Sequence, residues 1–452
     1  MIVLFLLGEV LLFLGGLLLG HAILGALFAA AIVYVALAYR HPNVAWILVW
    51  LAFPFSIERV IPGGHALHLP TEPMIALALL AWMARLSVDR PIRLPRAGLH
   101  LPLAALALVT LLSVLAGPFP ELGIKGLIAA TGYVLFAYVY CLLNCRDPGT
   151  VERSFPWIVG SAAVWGLYGT ARILYQGFTM PHAYGLARPF FTEHGAYAAY
   201  LAMMLPLAVL CMMERKGAAR AWYGVAALAI GLGLGLSLTR AAWVSIALVL
   251  PPTVALWASW RRSLKPIPWI AAIAGIVAIV LVGMGAGQRI SRHASSISSS
   301  GDVSNLERFN RWMAAVEMVR ARPLTGVGYA AYPHVYMQYR RKLILTDMAY
   351  VHSGAHSEVF RLLAESGIPG FAAALWLIGA TLALGFRVFL RSVDPRSKLV
   401  ALAILGGLGT YFVHGLFRTY IDLEKVAVPF WASLGVLAAL AMNLDQPDRR
   451  GV

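Results

Sequence analysis

The chain has 452 residues, 60% of them hydrophobic and 12% charged, with a mean hydropathy of +0.76 and a formal net charge of +16. That composition excludes an ordinary soluble enzyme, because apolar runs of about 17–23 residues recur from end to end, the length that a bilayer core of roughly 30 Å demands of a helix. Backbone polar groups find no water in lipid, so a helical bundle is expected and a barrel is not. The basic excess would suit a nucleic-acid binder in a soluble protein, but no nucleic-acid motif is present and much of the charge flanks the apolar runs.

In chain order, spans are expected at about 2–19, 21–39, 42–58, 72–88, 98–116, 122–144, 155–177, 195–213, 220–238, 241–259, 267–285, 369–391, 397–417 and 426–443. The first, "MIVLFLLGEVLLFLGGLLLG", has no basic leader and no A-x-A-type cleavage site, so it is expected to be retained. The first three are crowded, which gives about 12 transmembrane helices, or 12–14. Either even count puts both termini on one side. The basic loops "RLSVDRPIRLPR", "NCRDPGTVER", "ERKGAAR", "WRRSLK" and "RVFLRSVDPRSK", with the tail "DQPDRR", fall alternately and make that side cytoplasmic. Cys141, Cys145 and Cys211 lie in or beside apolar runs and read as packing residues.

The opposite face receives "ERVIPGGHALHLPTE", "GPFPE", "TMPHAYGLARPFFTEHG", the tight turn at "SLTR", the stretch 286–368 and "FRTYIDLE". Residues 286–368 form a loop domain between a bundle over 1–285 and the last helices with a short tail over 369–452. The loop holds ten Lys or Arg against six Asp or Glu, and a basic excess on the outer face wants an anionic partner. Inside it, "SSISSSGDVS" reads as a connector and "SNLE" at Ser304–Glu307 as a capping box. Leu306, Phe309, Met313, Val316 and Val319 then recur at helical spacing as the apolar stripe. Pro323 ends this helix and "PLTGVGYAAY" is a Gly-punctuated turn. A second helix is expected from about His356 to Ser366, capped by Gly367, with Pro369 opening the next span.

His356 is expected at that helix's N-terminus, where exposed N–H groups disfavour protonation and keep the imidazole neutral, as a general base requires. A capping or headgroup-contacting histidine fits the same position, and Ser353 or Ser357 would serve as cap in its place. Arg308 and Arg311, three apart on one helix, would grip a diphosphate or form a solvated face. Arg240 stands between two apolar runs in "LGLGLSLTRAAWVSIALVL" with almost no loop, so it either serves a ligand or snorkels to headgroups. Arg188, Glu193 and His194 lie at another outer mouth, where Glu193 would act as a base, orient a histidine, or belong to an interfacial belt. No metal motif and no nucleotide-binding loop is found, so no cofactor is expected, and the donor must arrive already activated; a polyprenyl diphosphate is the obvious membrane-borne one.

"ERFNRWMAAVEMVRARPLTGVGYAAY" followed by "AHSEVFRLLAESGIPG" resembles the signature of the O-antigen ligase and polymerase superfamily. The pattern of Arg, Trp, a Pro-x-x-Gly-Val-Gly turn, His-Ser and Glu-x-Gly-x-x-Gly falls on Arg308, Trp312, Pro323, Gly326, Gly328, His356, Ser357, Glu365, Gly367 and Gly370. "LSLTRAAW" resembles the family's Ser-Arg-Gly-Ala-Trp turn and carries it to Arg240, with Thr239 and Ala241 as departures. "RPFFTEHGAYAAYL" resembles a further family stretch loosely, bringing in Arg188 and His194.

The resemblance implies an all-α, polytopic, GT-C-like protein of a bacterial inner membrane, with one long periplasmic loop before the last three spans. It implies a metal-independent inverting glycosyltransferase moving a glycan from undecaprenyl diphosphate to an acceptor hydroxyl, within membrane lipids and without nucleic acid. By the same carry-over His356 is the base and Arg240 and Arg308 bind the diphosphate. Arg311 joins them by proximity, and Glu193 or Glu358 would assist the histidine. Ligation onto lipid A–core oligosaccharide is the first expectation. An O-antigen polymerase, a protein O-oligosaccharyltransferase and a non-enzymatic glycan flippase are the alternatives.

Overall fold

A computed structural model describes residues 22–61, 65–89, 95, 97–263, 300–340 and 354–444. The spans expected at 2–19 and 267–285, the first half of the serine connector, Arg289, Arg292, Arg341, Lys342, His352 and Ser353 lie outside the described residues. The N-terminal part comprises α1 (Ala22–Arg40), α2 (Pro42–Ala52), strands β1 (Ile57–Ile61) and β2 (His65–Leu69), α3 (Thr71–Asp89), α4 (His100–Ala116) and α5 (Pro120–Asn144). There follow α6 (Pro148–Gln176), the short α7 (Met180–Gly185), α8 (His194–Glu214), α9 (Gly217–Leu236) and α10 (Arg240–Arg261). The chain resumes with α11 (Ser300–Ala321), α12 (Tyr332–Tyr339), α13 (Glu358–Arg391), α14 (Pro395–Gly415) and α15 (Glu424–Leu444).

The protein is an all-α polytopic membrane protein. Among the described residues seven helices, α5, α8, α9, α10, α13, α14 and α15, are long and apolar enough to cross a bilayer. Helix α8 is apolar all round and is the axis of the bundle: every residue from Gly195 to Cys211 is buried, against α9 on one side and α14 on the other. Outer helices keep large apolar side chains exposed, among them Leu228 on α9, Leu248 on α10 and Leu390 on α13, as lipid contact requires. At the end opposite the loop helices, Asp147 and Asp394 cap α6 and α14, each accepting from two backbone N–H groups with a proline next in sequence. That end also gathers the ion pairs Arg215–Glu152, Arg396–Glu152 and Arg261–Glu214.

Several expectations change. The span expected over 42–58 stops at Ala52, because Phe53-Pro54-Phe55 makes a tight turn and the chain enters an antiparallel hairpin with Ile57 opposite Leu69 and Glu58 opposite His68. "ERVIPGGHALHL", two short runs around a Pro-Gly-Gly, was the signal for it. Helix α11 begins at Ser300, so the Ser304–Glu307 box lies inside it. Its buried face is Glu307, Asn310, Arg311, Ala314, Ala315 and Met318, and Phe309 of the expected apolar stripe is 50% exposed. An ion pair and two small alanines let the polar face turn inward. The loop segment also contains a helix that sequence reading left as loop, α12. With α11 and the start of α13 it encloses a small core of its own around Ala314, Met318, Val327, Tyr332, Tyr336 and Ala364.

Candidate active site

The loop helices are locked to the bundle by backbone pairing. Val327 N donates to Ala364 O at 2.8 Å, Gly328 N to Glu365 O at 3.2 Å and Ile368 N to Pro323 O at 2.8 Å. Ser113 Oγ on α4 donates to the same Glu365 carbonyl at 2.5 Å. Gly326 (φ +67°) and Gly367 (φ +66°) permit this approach, since a Cβ would fall 2.3 Å from Glu365 O and 2.6 Å from Pro323 O respectively. Gly367 also breaks α13 into an outer turn and the long apolar helix beyond it. The Pro-x-x-Gly-Val-Gly and Glu-x-Gly motifs are thus the two halves of one joint.

The outer part of α13 begins at Glu358, with Ser357 in the N-cap position but making no side-chain capping bond. His356 therefore precedes the helix, and its backbone is left-handed at φ +53°. A β-carbon in that region costs of order 1–3 kcal/mol and recurs at functional sites. Its ring is half-buried, and Arg418 Nη1 donates to Nδ1 at 3.1 Å. Because a guanidinium only donates, Nδ1 must carry a lone pair, and the proton of the neutral ring sits on Nε2. Burial first, then the guanidiniums of Arg418, Arg311 and Arg308, push the imidazole down to about 3. Burial first and the neighbouring guanidiniums second thus favour a neutral ring, and His356 lies just before the helix.

Arg308 is half-buried on α11; burial first, then Arg418 and Arg240, hold it below the ordinary arginine value. Arg240 opens α10 after the turn at Leu238 and is exposed. Among the described residues none of Arg240, Arg308 and Arg418 has a carboxylate within salt-bridge distance. Arg418 and Arg240 thus both act on Arg308, and guanidiniums gathered in this way can hold a multiply charged anion.

Arg311, expected to share Arg308's face, points the other way. It is 1% exposed, pairs with Glu307 at 2.7 Å, donates to Gly354 O at 3.4 Å and lies over the Tyr336 ring. Its charge still reaches His356, but its bonds hold the loop domain together. Trp312 stacks on Phe360 at 5.1 Å and joins α11 to α13.

Glu358 is committed too. Its Oε1 accepts from Tyr411 Oη at 3.2 Å and from the backbone N–H groups of Tyr420 and Ile421 at 3.1 and 3.2 Å, while Oε2 takes Arg361 Nε at 2.8 Å. Arg361 also meets Glu365 at 3.1 Å and Asp422 at 3.5 Å, and Asp422 accepts from Tyr329 at 3.0 Å. These bonds fix the α14–α15 connector, and with it Arg418.

Glu193, at the N-cap of α8, accepts from Tyr420 Oη at 3.4 Å. His194 stacks on Tyr184 at 4.5 Å. Arg188 is exposed, and its carbonyl accepts from Tyr168 Oη at 2.8 Å and from Arg172; its guanidinium bonds to none of the groups around His356. Sequence reasoning missed Arg418, Tyr420 and Asp422: "FRTYIDLE" was seen as a turn between spans, and its lone arginine at a span end was the only signal. A group of metal-ligating side chains lies elsewhere, where His68, Glu72 and Glu424 bring ligand atoms within 4.8 Å of one another.

A protein-family model described as O-Antigen ligase matches residues 224–375. That segment, which is similar to the family's signature, takes in Arg240, Arg308 and His356 while leaving out Arg188, Glu193, His194 and Arg418. No curated protein matches the chain.

Proposed function

We propose, with that family signature as premise, that the chain transfers a glycan from undecaprenyl diphosphate to an acceptor hydroxyl at the outer face of a bacterial inner membrane. The observation that carries this reading is the set Arg240, Arg308 and Arg418, three guanidiniums without a carboxylate partner among the described residues, of which Arg308 and Arg418 act on His356 and Arg240 on Arg308. The diphosphate of the donor sits among them, and Arg418 turns from His356 Nδ1 to a phosphate oxygen. Two changes follow from one event. Nδ1 is freed to accept a proton, and the donor's negative charge raises the imidazole from about 3 toward the range a base needs.

His356 then takes the proton of the acceptor hydroxyl as its oxygen bonds to the anomeric carbon from the face opposite the diphosphate. The bond from that carbon to the phosphate oxygen breaks, configuration inverts, and undecaprenyl diphosphate leaves with its added charge met by the arginines. Glu358 and Arg361 hold the connector in place and take no proton, and no metal is required in this step. The acceptor we infer is the core oligosaccharide of lipid A, itself phosphate-rich and matched to the basic loop.

His356→Ala in purified protein, supplied with lipid-linked donor and acceptor, tests the mechanism. Loss of turnover with donor binding intact supports it, and near-normal turnover rejects it. Lipopolysaccharide gels of a deletion strain test the acceptor. Bare core with accumulated lipid-linked polymer supports ligation, whereas core bearing a single repeat means a polymerase.

A further inference from the structure

The hairpin end of the bundle holds a second cluster that the transfer chemistry does not use. Glu424, the first residue of α15, is 0% exposed, and neither carboxylate oxygen makes a hydrogen bond of ordinary length and angle, although the Ser56 hydroxyl stands near it. An ionised carboxylate so buried is costly unless it takes a proton or meets a cation. Lys425 does not supply one directly, because its ammonium donates to the carbonyls of Ser56 and Phe190. Facing Glu424 are His68 on β2 and Glu72 on α3, partly exposed at 18% and 22%. His68 Nδ1 stands 3.3 Å from Glu72 Oε1. Two ligands each about 2.0–2.1 Å from a tetrahedral ion stand roughly 3.3 Å apart, so this is also the spacing of a shared metal. Tyr133 Oη donates to Glu72 Oε1 at 2.8 Å and orients that carboxylate, as outer-sphere partners of metal ligands do.

We propose that His68, Glu72 and Glu424 hold one first-row divalent cation, which ties the hairpin and α3 to the start of α15. One imidazole with two carboxylates suits Zn2+, with Mn2+ binding more weakly by the usual affinity order. The partly exposed His68 and Glu72 give the ion its way in, and buried Glu424 closes the site from beneath. Glu424 follows the connector bearing Arg418 and Asp422, so the ion anchors that connector without touching the reacting atoms.

The test uses the full chain in lipid nanodiscs, without a polyhistidine tag, stripped with EDTA. ZnCl2 and, separately, MnCl2 are titrated while bound metal and thermal unfolding are followed. The expected result is one Zn2+ per chain, a raised Tm, and weaker retention of Mn2+. Glu424→Gln should weaken zinc more than roughly a hundredfold, beyond the 10–100-fold typical of losing an outer-sphere partner. His68→Gln, at a partly exposed position, should do the same if the Glu424 variant fails to fold, while His182→Gln should bind as the parent does. Wild-type protein that retains no zinc and shows no change in Tm overturns the proposal. An equal Tm rise in His68→Gln overturns it as well.

Discussion

His356 meets two opposing demands. A base must accept a proton, yet burial and the surrounding guanidiniums hold this imidazole at about 3 and Arg418 covers Nδ1. On the proposed mechanism the resting state is therefore disarmed, and turnover would depend on an anion arriving. His356→Asn is the informative variant, because asparagine tolerates a left-handed backbone better than alanine. Its turnover should fall on the order of 10²–10⁴-fold with donor binding retained, read by single-turnover transfer and lipid-donor titration. Arg418→Gln removes a positive neighbour and so raises the imidazole's pKa. The acid limb of kcat/KM, which reports free enzyme, should move to higher pH, while Arg418→Lys should leave it near the parent's. The linkage has a definite sign. The folded-state value lies below the ordinary 6.5, so the neutral ring contributes stability above that pH that is lost as pH falls toward 3. His356→Asn should flatten this part of the pH–stability curve, as thermal unfolding across that window would register.

At the scale of elements, the joint between the 323–332 turn and α13 decides where His356 stands. Gly326→Ala places a methyl 2.3 Å from Glu365 O at a positive φ, and a loss of more than about 1 kcal/mol is expected. Gly185→Ala, where nothing lies within 4 Å, should leave Tm unchanged, and thermal unfolding in detergent compares the two. The joint's glycines were legible in the sequence because only a positive φ or a close approach keeps such residues in place, and the break at Gly367 was expected. The face of α11 was not legible. Helical periodicity selects apolar residues, whereas here Arg311 and Glu307 neutralise each other and turn inward, and Phe309 stays out. The hairpin was missed for another reason: the expected span runs on through Ile57 and Glu58, and the two short runs around Pro-Gly-Gly read as an outer loop.

For the whole molecule, its helical, membrane-spanning character was the most legible feature, since hydropathy alone marks long apolar helices, while the alternation of basic loops gives a proposed orientation. The bundle agrees in one respect, with His356, Arg240, Glu193 and Arg418 all at the end away from the Asp147 and Asp394 caps. The proposed orientation predicts that alkaline phosphatase fused after Leu238 is active and that the same fusion after Arg215 is inactive; the reverse pattern would invert the protein. The assembled site was less legible. Arg240 and His356 carried recognisable surroundings, but Arg418 sits in a short connector where one arginine makes no pattern, and only three-dimensional packing brings it to the ring. That placement bears on biosynthesis. The connector between α14 and α15 is among the last parts of the described chain to be synthesised, so a ribosome must pass Arg418 before the anion cradle is whole. A nascent chain with α8, α10 and α11 already placed could attract a lipid diphosphate through Arg240 and Arg308, but it would hold that donor loosely. On the proposed reading, a chain truncated before this connector would capture little carrier lipid.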